Sequence, residues 1–252
     1  MTHVHTSDDT AKWRAYQESV AGRLRTELLW RGLEPHLPPP PASVVDIGAG
    51  TGDFAERLVH AGYRASLVDV SAAMLAEAAA RLGRADVRTV VGDIEHDELE
   101  LAPSSVDIVV CHSVIEFVED RERVAERLVG WLRPGGVLSL AFGNRQQGPL
   151  KAALVSRDFA RARRELEGPP ETPDCFGRPR RLLDPDAGRR LLARPDLSVV
   201  DELGIRCVLD LLGDGVQEDA LAALVALEID LMRRPEYRCL ARYVQLVARC
   251  RP

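Results

Sequence analysis

The stretch Val44-Val45-Asp46-Ile47-Gly48-Ala49-Gly50-Thr51-Gly52-Asp53-Phe54 constrains the fold of this chain more than any other. An apolar pair leads into an acid, three glycines follow at alternate positions, and a helix-like run begins at Phe54. A buried strand, a tight turn and a helix N-terminus account for that order. Glycine permits the sharp turn and lets a ligand approach where a Cβ would clash. Ligands of open α/β sheets sit at such a carboxyl end of a strand. The same spacing could cradle a dinucleotide. Two features point elsewhere. Asp46 stands at the strand tip, where a carboxylate can hold a cation or structure the turn. Asp53 and Glu56 open the helix, which suits the helix dipole but not a pyrophosphate. The expected ligand is a positively charged nucleoside without phosphates.

The chain of 252 residues, 46% of them hydrophobic, can build one large α/β domain with a substantial cap. A formal net charge of −6 gives no global attraction for nucleic acid or membranes. Five cysteines without a C-x-x-C pair argue against a disulfide framework or a zinc site, and for a reducing cytoplasm. The N-terminus lacks the apolar region of a signal peptide, and no apolar run is long enough to span a membrane. His3 and His5 form no metal pattern with a neighbour and read as part of a mobile tail.

In chain order, residues 8–37 read as helical, with Ser7 or Asp8 as cap and a break near Trp30 to Pro35. This segment either packs on the sheet or forms a lid with Tyr16 and Arg25 as polar tips. A fixed guanidinium such as Arg25 can bind a carboxylate bidentately. Strands are expected at 43–47, 65–69, 87–91, 106–111 and 137–142, with helices at 52–61, 71–82 and 120–132 between them. Arg133-Pro134-Gly135-Gly136 is the expected stop after the last of these helices. Asp69 ends the second strand, where an acid can accept hydrogen bonds from both ribose hydroxyls. Its alternative reading is a cap of the next helix. Asp93 follows the third strand at its tip and can accept from an adenine amino group, with Ile94 packed on the ring. His112 ends the fourth strand and reads either as a packed residue or as a ligand contact. This alternation gives a doubly wound parallel sheet.

Residues 143–194 differ, with twelve positive against seven negative side chains, a net of +5. A polar helix near 148–167 and the cluster Arg178-Pro179-Arg180-Arg181 read either as a solvated surface or as a polyanion footprint. A strand at 197–209, a helix at 216–233 with Leu221, Leu224, Leu227 and Leu231 on one face, and a last strand at 243–250 complete the chain. The expected organisation is one domain: an N-terminal helical lid (1–40), a cofactor-binding core (41–142), a basic cap insertion (143–195) and C-terminal strands and helix (196–252).

The run Asp46-Ile47-Gly48-Ala49-Gly50-Thr51-Gly52, with Asp69, Gly92-Asp93-Ile94, Cys111-His112-Ser113-Val114-Ile115-Glu116 and Arg133-Pro134-Gly135-Gly136-Val137, resembles class I S-adenosylmethionine-dependent methyltransferases. Gly22-Arg23-Leu24-Arg25, Gly204-Ile205-Arg206 and Arg234-Pro235-Glu236-Tyr237 through Ala241-Arg242-Tyr243 extend the likeness. With these, the chain is most similar to bacterial tRNA 5-carboxymethoxyuridine carboxyl-methyltransferases. The resemblance implies a Rossmann-like sheet of seven strands with an antiparallel last strand. It implies S-adenosylmethionine as cofactor and S-adenosylhomocysteine as product. It also implies cofactor contacts from Arg25 (methionine carboxylate), Asp46, Gly48, Ala49, Gly50, Asp69 and Val70 (ribose), Asp93, Ile94 and Glu95 (adenine), and His112 (sulfonium region). Tyr16, Asn144, Arg178, Arg180 and Arg181 are the expected substrate contacts, the basic loop facing a tRNA. The glycine motif departs from the family's, and an aromatic expected before Asn144 is replaced by Gly143. A small-molecule O-methyltransferase and a non-catalytic cofactor-binding protein are therefore the alternatives.

A carboxylate acceptor is already ionised at neutral pH, so no general base is required. Catalysis then rests on placing the reactants in line. With a hydroxyl acceptor, His112 becomes the natural base.

Overall fold

The alternation of apolar strands and amphipathic helices closes into one seven-stranded sheet with helices on both faces. The computed structural model describes residues 7–83, 87–168, 171–173, 177–213, 216 and 218–251. His3, His5, Cys175 and Pro169-Pro170 lie outside them. The strands are β1 (Ser43–Ile47), β2 (Arg64–Asp69), β3 (Arg88–Val91), β4 (Val106–His112), β5 (Leu132–Gly143), β6 (Glu171–Pro173), β7 (Pro179–Arg181), β8 (Leu197–Ile205) and β9 (Tyr243–Cys250). The helices are α1 (Ser7–Glu18), α2 (Val20–Leu33), α3 (Asp53–His60), α4 (Ala72–Leu82), α5 (Arg121–Gly130), α6 (Gln147–Leu154), α7 (Phe159–Glu167), α8 (Pro185–Leu191) and α9 (Leu221–Met232).

The sheet order is β3-β2-β1-β4-β5-β9-β8. Strands β1 to β5 are mutually parallel. Strand β9 runs antiparallel to both β5 and β8, which returns β8 to the direction of the parallel set. The pair β6–β7 forms a separate antiparallel ribbon. Strands β1 and β4 are almost unbroken in their apolar character because both of their faces are covered. Leu24, Leu28, Leu58 and Leu75 bring α2, α3 and α4 to one face. Val124, Leu128 and Leu192 cover the other. The chain leaves β1 toward β2 on one side and reaches β4 on the other. The loops after these two strands therefore diverge and open a crevice.

Several boundaries differ from the sequence reading for identifiable reasons. The N-terminal helix is two helices, because Ser19 leaves the helical conformation and caps α2 by accepting from the Gly22 N–H. Helix α2 then runs through Trp30-Arg31-Gly32 without a break. The polar helix of the insertion is also split: Arg157 takes φ +53° and Asp158 caps α7 through the Arg161 N–H. Leu132 pairs with Val106 across an irregularity, so β5 already contains Arg133-Pro134-Gly135-Gly136. Strand β8 stops at Ile205. The Glu228 carboxylate takes the backbone N–H groups of Cys207, Val208 and Leu209 at 2.6, 2.9 and 2.9 Å and turns the chain. The buried face of α9 is Leu224-Glu228-Met232, and Leu227 is 45% exposed.

Candidate active site

The carboxyl ends of β1 to β4 and β8, and the amino end of antiparallel β9, share one edge of the sheet. A cleft of about 640 Å³ opens there. That volume suits a cofactor-sized ligand. Gly48, Gly50 and Gly52 take φ of +71°, +55° and +78°, and a Cβ on Gly48 would lie 2.3 Å from Val114 Cγ2. The N–H groups of Gly48 and Ala49 donate to Val68 O at 2.8 and 3.1 Å, which ties the turn to β2. Gly48 and Gly50 line the cleft; Ala49 packs against the core and does not. At the start of α3, the Asp53 carboxylate accepts from Thr51 Oγ1 at 2.5 Å and pairs with Arg81. The helix thus supplies its own anion at the end where a phosphate would sit.

Asp69 is held at the cleft wall by N–H donors from Gly50 (2.8 Å) and Ser71 (2.9 Å). It does not cap the next helix; Ser71 does, through the Met74 N–H. Val70, Asp93 and Ile94 line the cleft beside it. The carboxylate of Asp93 accepts from Glu95 N at 2.8 Å. Glu95 lies next to them in the chain. Although it borders the cleft, its carboxylate accepts from Glu119 N at 2.8 and 3.0 Å and from Asp120 N at 2.6 Å, pinning the loop after β4.

Arg25 is buried, and its Nη2 donates to Ser113 Oγ at 2.9 Å, with Ser113 itself at φ +59°. Asp46 does not line the cleft; it is buried, and its position is a correction to the expected direct contact. Burial, and then the neighbouring Asp69, push its carboxyl up to about 8, while Arg25 pulls it down. A carboxyl raised in the folded state costs stability that grows from about pH 4, where the unfolded chain ionises, to about pH 8, where the folded group ionises, and is not regained above it. Wild-type stability therefore falls with rising pH across that window relative to Asp46→Asn, by at most about 1.4 kcal/mol per pH unit. Urea unfolding of both proteins at pH 5, 6, 7 and 8.5 reads this difference, and parallel curves would refute it.

His112 lines the cleft at the end of β4, edge-to-face with Phe54 at 4.6 Å. Its Nε2 lies 2.7 Å from Ser139 Oγ, and its buried Nδ1 meets no partner among the described residues. Burial, and secondarily the charge of Arg25, push it well below the usual histidine range, so the ring is neutral.

Toward β9 and β8 the lining turns basic. Arg206, buried at φ +62°, is clamped by Asp210 at 2.6 and 2.9 Å and donates to Tyr16 Oη at 2.9 Å. Arg242 and Arg206 sit 5.6 and 5.7 Å from the Tyr243 ring centre. Arg178 stacks 4.8 Å from the Phe117 ring centre, and Lys151 also borders the cleft. Arg180 is buried in the lining near Glu116. Burial raises the Glu116 carboxyl, with Arg180 and then the Gly143 N–H, at 3.3 Å, partly offsetting it.

Two expected substrate residues are placed elsewhere. Asn144 is fully buried and off the cleft: its Nδ2 donates to Arg238 O (3.1 Å) and Ala241 O (3.0 Å), and its Oδ1 accepts from Gln146 N (3.0 Å). Arg181 donates to Val118 O and Glu119 O instead of entering the cleft. Alternation along β7 accounts for the separation of Arg180 and Arg181. The basic cluster is therefore not an outward-facing patch, since Arg178 and Arg180 are turned into the cleft. Lys151, Arg206, Asp210, Arg242, Tyr243 and Trp13 line it without having been singled out as site residues. For Arg206 and Tyr243 a signal existed: one directly follows strand β8 and the other begins the antiparallel β9.

Residues 45–140 match a family profile described as a methyltransferase domain. The tRNA 5-carboxymethoxyuridine methyltransferase of Escherichia coli K12 is 30% identical over 244 residues, covering 92% of this chain and 90% of that one. The malonyl-[acyl-carrier protein] O-methyltransferase of Methylococcus capsulatus is 37% identical over 136 residues, 52% of this chain and 48% of the relative. In fold, a methyltransferase structure from Thermotoga maritima, a possible histamine N-methyltransferase, superimposes with a TM-score of 0.64 at 16% identity, covering 96% of each chain. The sheet order and the glycine turn with its acidic neighbours define a Rossmann-like methyltransferase fold that uses S-adenosylmethionine. Within that class, the chain belongs to the family that contains the bacterial tRNA 5-carboxymethoxyuridine methyltransferases. Among the described residues, no helix is long and apolar enough to cross a membrane.

Proposed function

We propose that this methyltransferase esterifies a carboxylate, and that its acceptor is the carboxymethoxy group of a modified tRNA uridine. The observation that carries this reading is the cationic wall of the cleft, to which Arg178, Arg180, Arg206, Arg242 and Lys151 contribute. Guanidinium groups match a carboxylate in shape and charge, and Arg178 stacked on Phe117 offers a flat platform suited to a pyrimidine.

The cofactor fits the residues present. Gly48 packs its bare Cα against Val114 and brings the turn's backbone to the cleft, Asp69 is held rigidly at the wall, and the α3 N-terminus already carries Asp53. On this reading Asp69 binds the ribose, Gly48, Gly50 and Val70 border it, and Asp93 and Ile94 serve the adenine. Arg25 holds the methionine carboxylate. When bound, S-adenosylmethionine supplies a methyl group made electrophilic by its sulfonium. The arginines would hold the acceptor carboxylate toward that methyl. A carboxylate is already ionised at neutral pH, so no residue would be needed to remove a proton.

A small free carboxylate is the second reading, favoured by the inward direction of Arg178 and Arg180 and by the net charge of −6. Replacing Arg178 and Arg180 together by alanine is expected to raise the acceptor KM at least tenfold, with the affinity for S-adenosylhomocysteine within twofold of wild type. Steady-state kinetics and calorimetry check both numbers. An unchanged acceptor KM would remove these arginines from the substrate site. Parallel assays with carboxymethoxyuridine-containing tRNA and with small dicarboxylates separate the two readings.

A further inference from the structure

We infer that Ser139 and Gln245 are positioning residues that hold His112 in the Nδ1–H tautomer, as a hydrogen-bond donor to a ligand carboxylate in the cleft. The inference extends the proposed carboxylate chemistry to two residues on strands β5 and β9, both fully buried.

The direction of each bond follows from what each atom can do. Gln245 Nε2 lies 3.0 Å from Leu29 O and 2.9 Å from Ser139 Oγ. A backbone carbonyl only accepts, so this end of the amide must be the NH₂ group. Rotating the amide would set two oxygens against each other. One amide hydrogen goes to Leu29 O and the other to Ser139 Oγ. Ser139 has a single hydrogen, and its one remaining partner among the described residues is His112 Nε2, at 2.7 Å. The hydroxyl donates there, so Nε2 is an acceptor and carries no proton. The opposite arrangement would leave a buried hydroxyl hydrogen without a partner, at a cost of about 1–3 kcal/mol. A neutral ring with an unprotonated Nε2 carries its hydrogen on Nδ1. That nitrogen is buried on a cleft-lining residue and has no partner among the described residues.

The consequence for chemistry is specific. The lone pair of the ring is taken by Ser139, so His112 is not available as a base toward an acceptor hydroxyl. A donor N–H also does not suit the positive sulfonium. It suits a carboxylate, and Arg25, whose charge acts on His112, lies in the same neighbourhood. The carboxylate is that of the cofactor's amino-acid moiety or that of the acceptor.

Long-range ¹H–¹⁵N correlation spectra of ¹⁵N-histidine-labelled protein, with His112 assigned through His112→Gln, read the tautomer directly. The wild type is expected to show a protonated Nδ1 and an unprotonated Nε2. An Nε2–H ring would overturn the inference whatever the acceptor proves to be. Ser139→Ala is expected to shift the ring toward the Nε2–H form, and Ser139→Thr, which restores a hydroxyl, to shift it back. Ser139→Ala should also weaken a carboxylate contact roughly tenfold. Weaker S-adenosylhomocysteine binding with unchanged 5′-methylthioadenosine binding, a ligand lacking the amino-acid group, assigns the contact to the cofactor. A raised acceptor KM with unchanged S-adenosylhomocysteine affinity assigns it to the acceptor. Ser139→Ala with a shifted tautomer but none of these changes would refute the donor role.

Discussion

Replacing Asp69 by alanine is expected to weaken S-adenosylhomocysteine binding by a factor of a hundred or more. The carboxylate does two things at once. It organises the glycine turn by accepting from Gly50 N at 2.8 Å, and it is fixed by Ser71 N at 2.9 Å while facing the cleft. On the proposed placement it also accepts from the ribose hydroxyls. Hydrogen bonds to a charged acceptor contribute about 1.5–3 kcal/mol each, so losing two exceeds the roughly 2.7 kcal/mol that a hundredfold represents. Asp69→Asn keeps the shape and one acceptor oxygen and should fall between the two. Calorimetric titration measures all three proteins. Alanine-variant binding within fivefold of wild type would mean that the ribose lies elsewhere.

The second large effect is on stability. Glu228→Ala should lower the unfolding free energy by about 3–5 kcal/mol and the melting temperature by roughly 10 °C. The carboxylate is fully buried and is the acceptor for three consecutive backbone N–H groups, at 2.6 to 2.9 Å. Its removal strands those donors in the protein interior, where each unmet group costs free energy. The turn it forms starts one residue after Arg206, which is clamped by Asp210 within the same turn. Acceptor binding should therefore weaken in the variant even below its melting temperature. Thermal and urea unfolding test the stability loss, and a fall of less than 1 kcal/mol would show that water replaces the carboxylate at low cost.

These two residues also mark how far the sequence could be read. The place of Asp69 at the cleft was legible because it ends a strand after a glycine turn, and the choice between ligand contact and helix cap was left to the structure, where Ser71 is the cap. Strands β1 and β4 were legible for a similar reason: buried on both faces, they leave continuous apolar runs in the sequence. Glu228 was hidden. In an apolar helix, an acid at helical spacing between Leu224 and Met232 reads as a surface position, and its partners are N–H groups more than eighteen residues away. Asn144 misled for the opposite reason. A polar residue after β5 stands at the ligand-binding edge, yet its amide is consumed by Arg238 O and Ala241 O. The Arg178 to Arg181 cluster shows the same limit. Composition gives the charge, but only the strand alternation of β7 decides that Arg180 enters the cleft and Arg181 does not. The helix breaks at Ser19 and Arg157 depend on a local cap and a left-handed residue, which helical periodicity does not register.

The proposed reaction is methyl transfer from S-adenosylmethionine to a carboxylate. The most direct measurement supplies methyl-labelled cofactor with tRNA carrying carboxymethoxyuridine and, in parallel, with a panel of small carboxylic acids. The label is then followed before and after mild alkali. The expected product loses its label as methanol in alkali, because a carboxylate methyl ester hydrolyses there and an ether or N-methyl group does not. Alkali-stable label would contradict that reaction and move the acceptor to a hydroxyl or nitrogen.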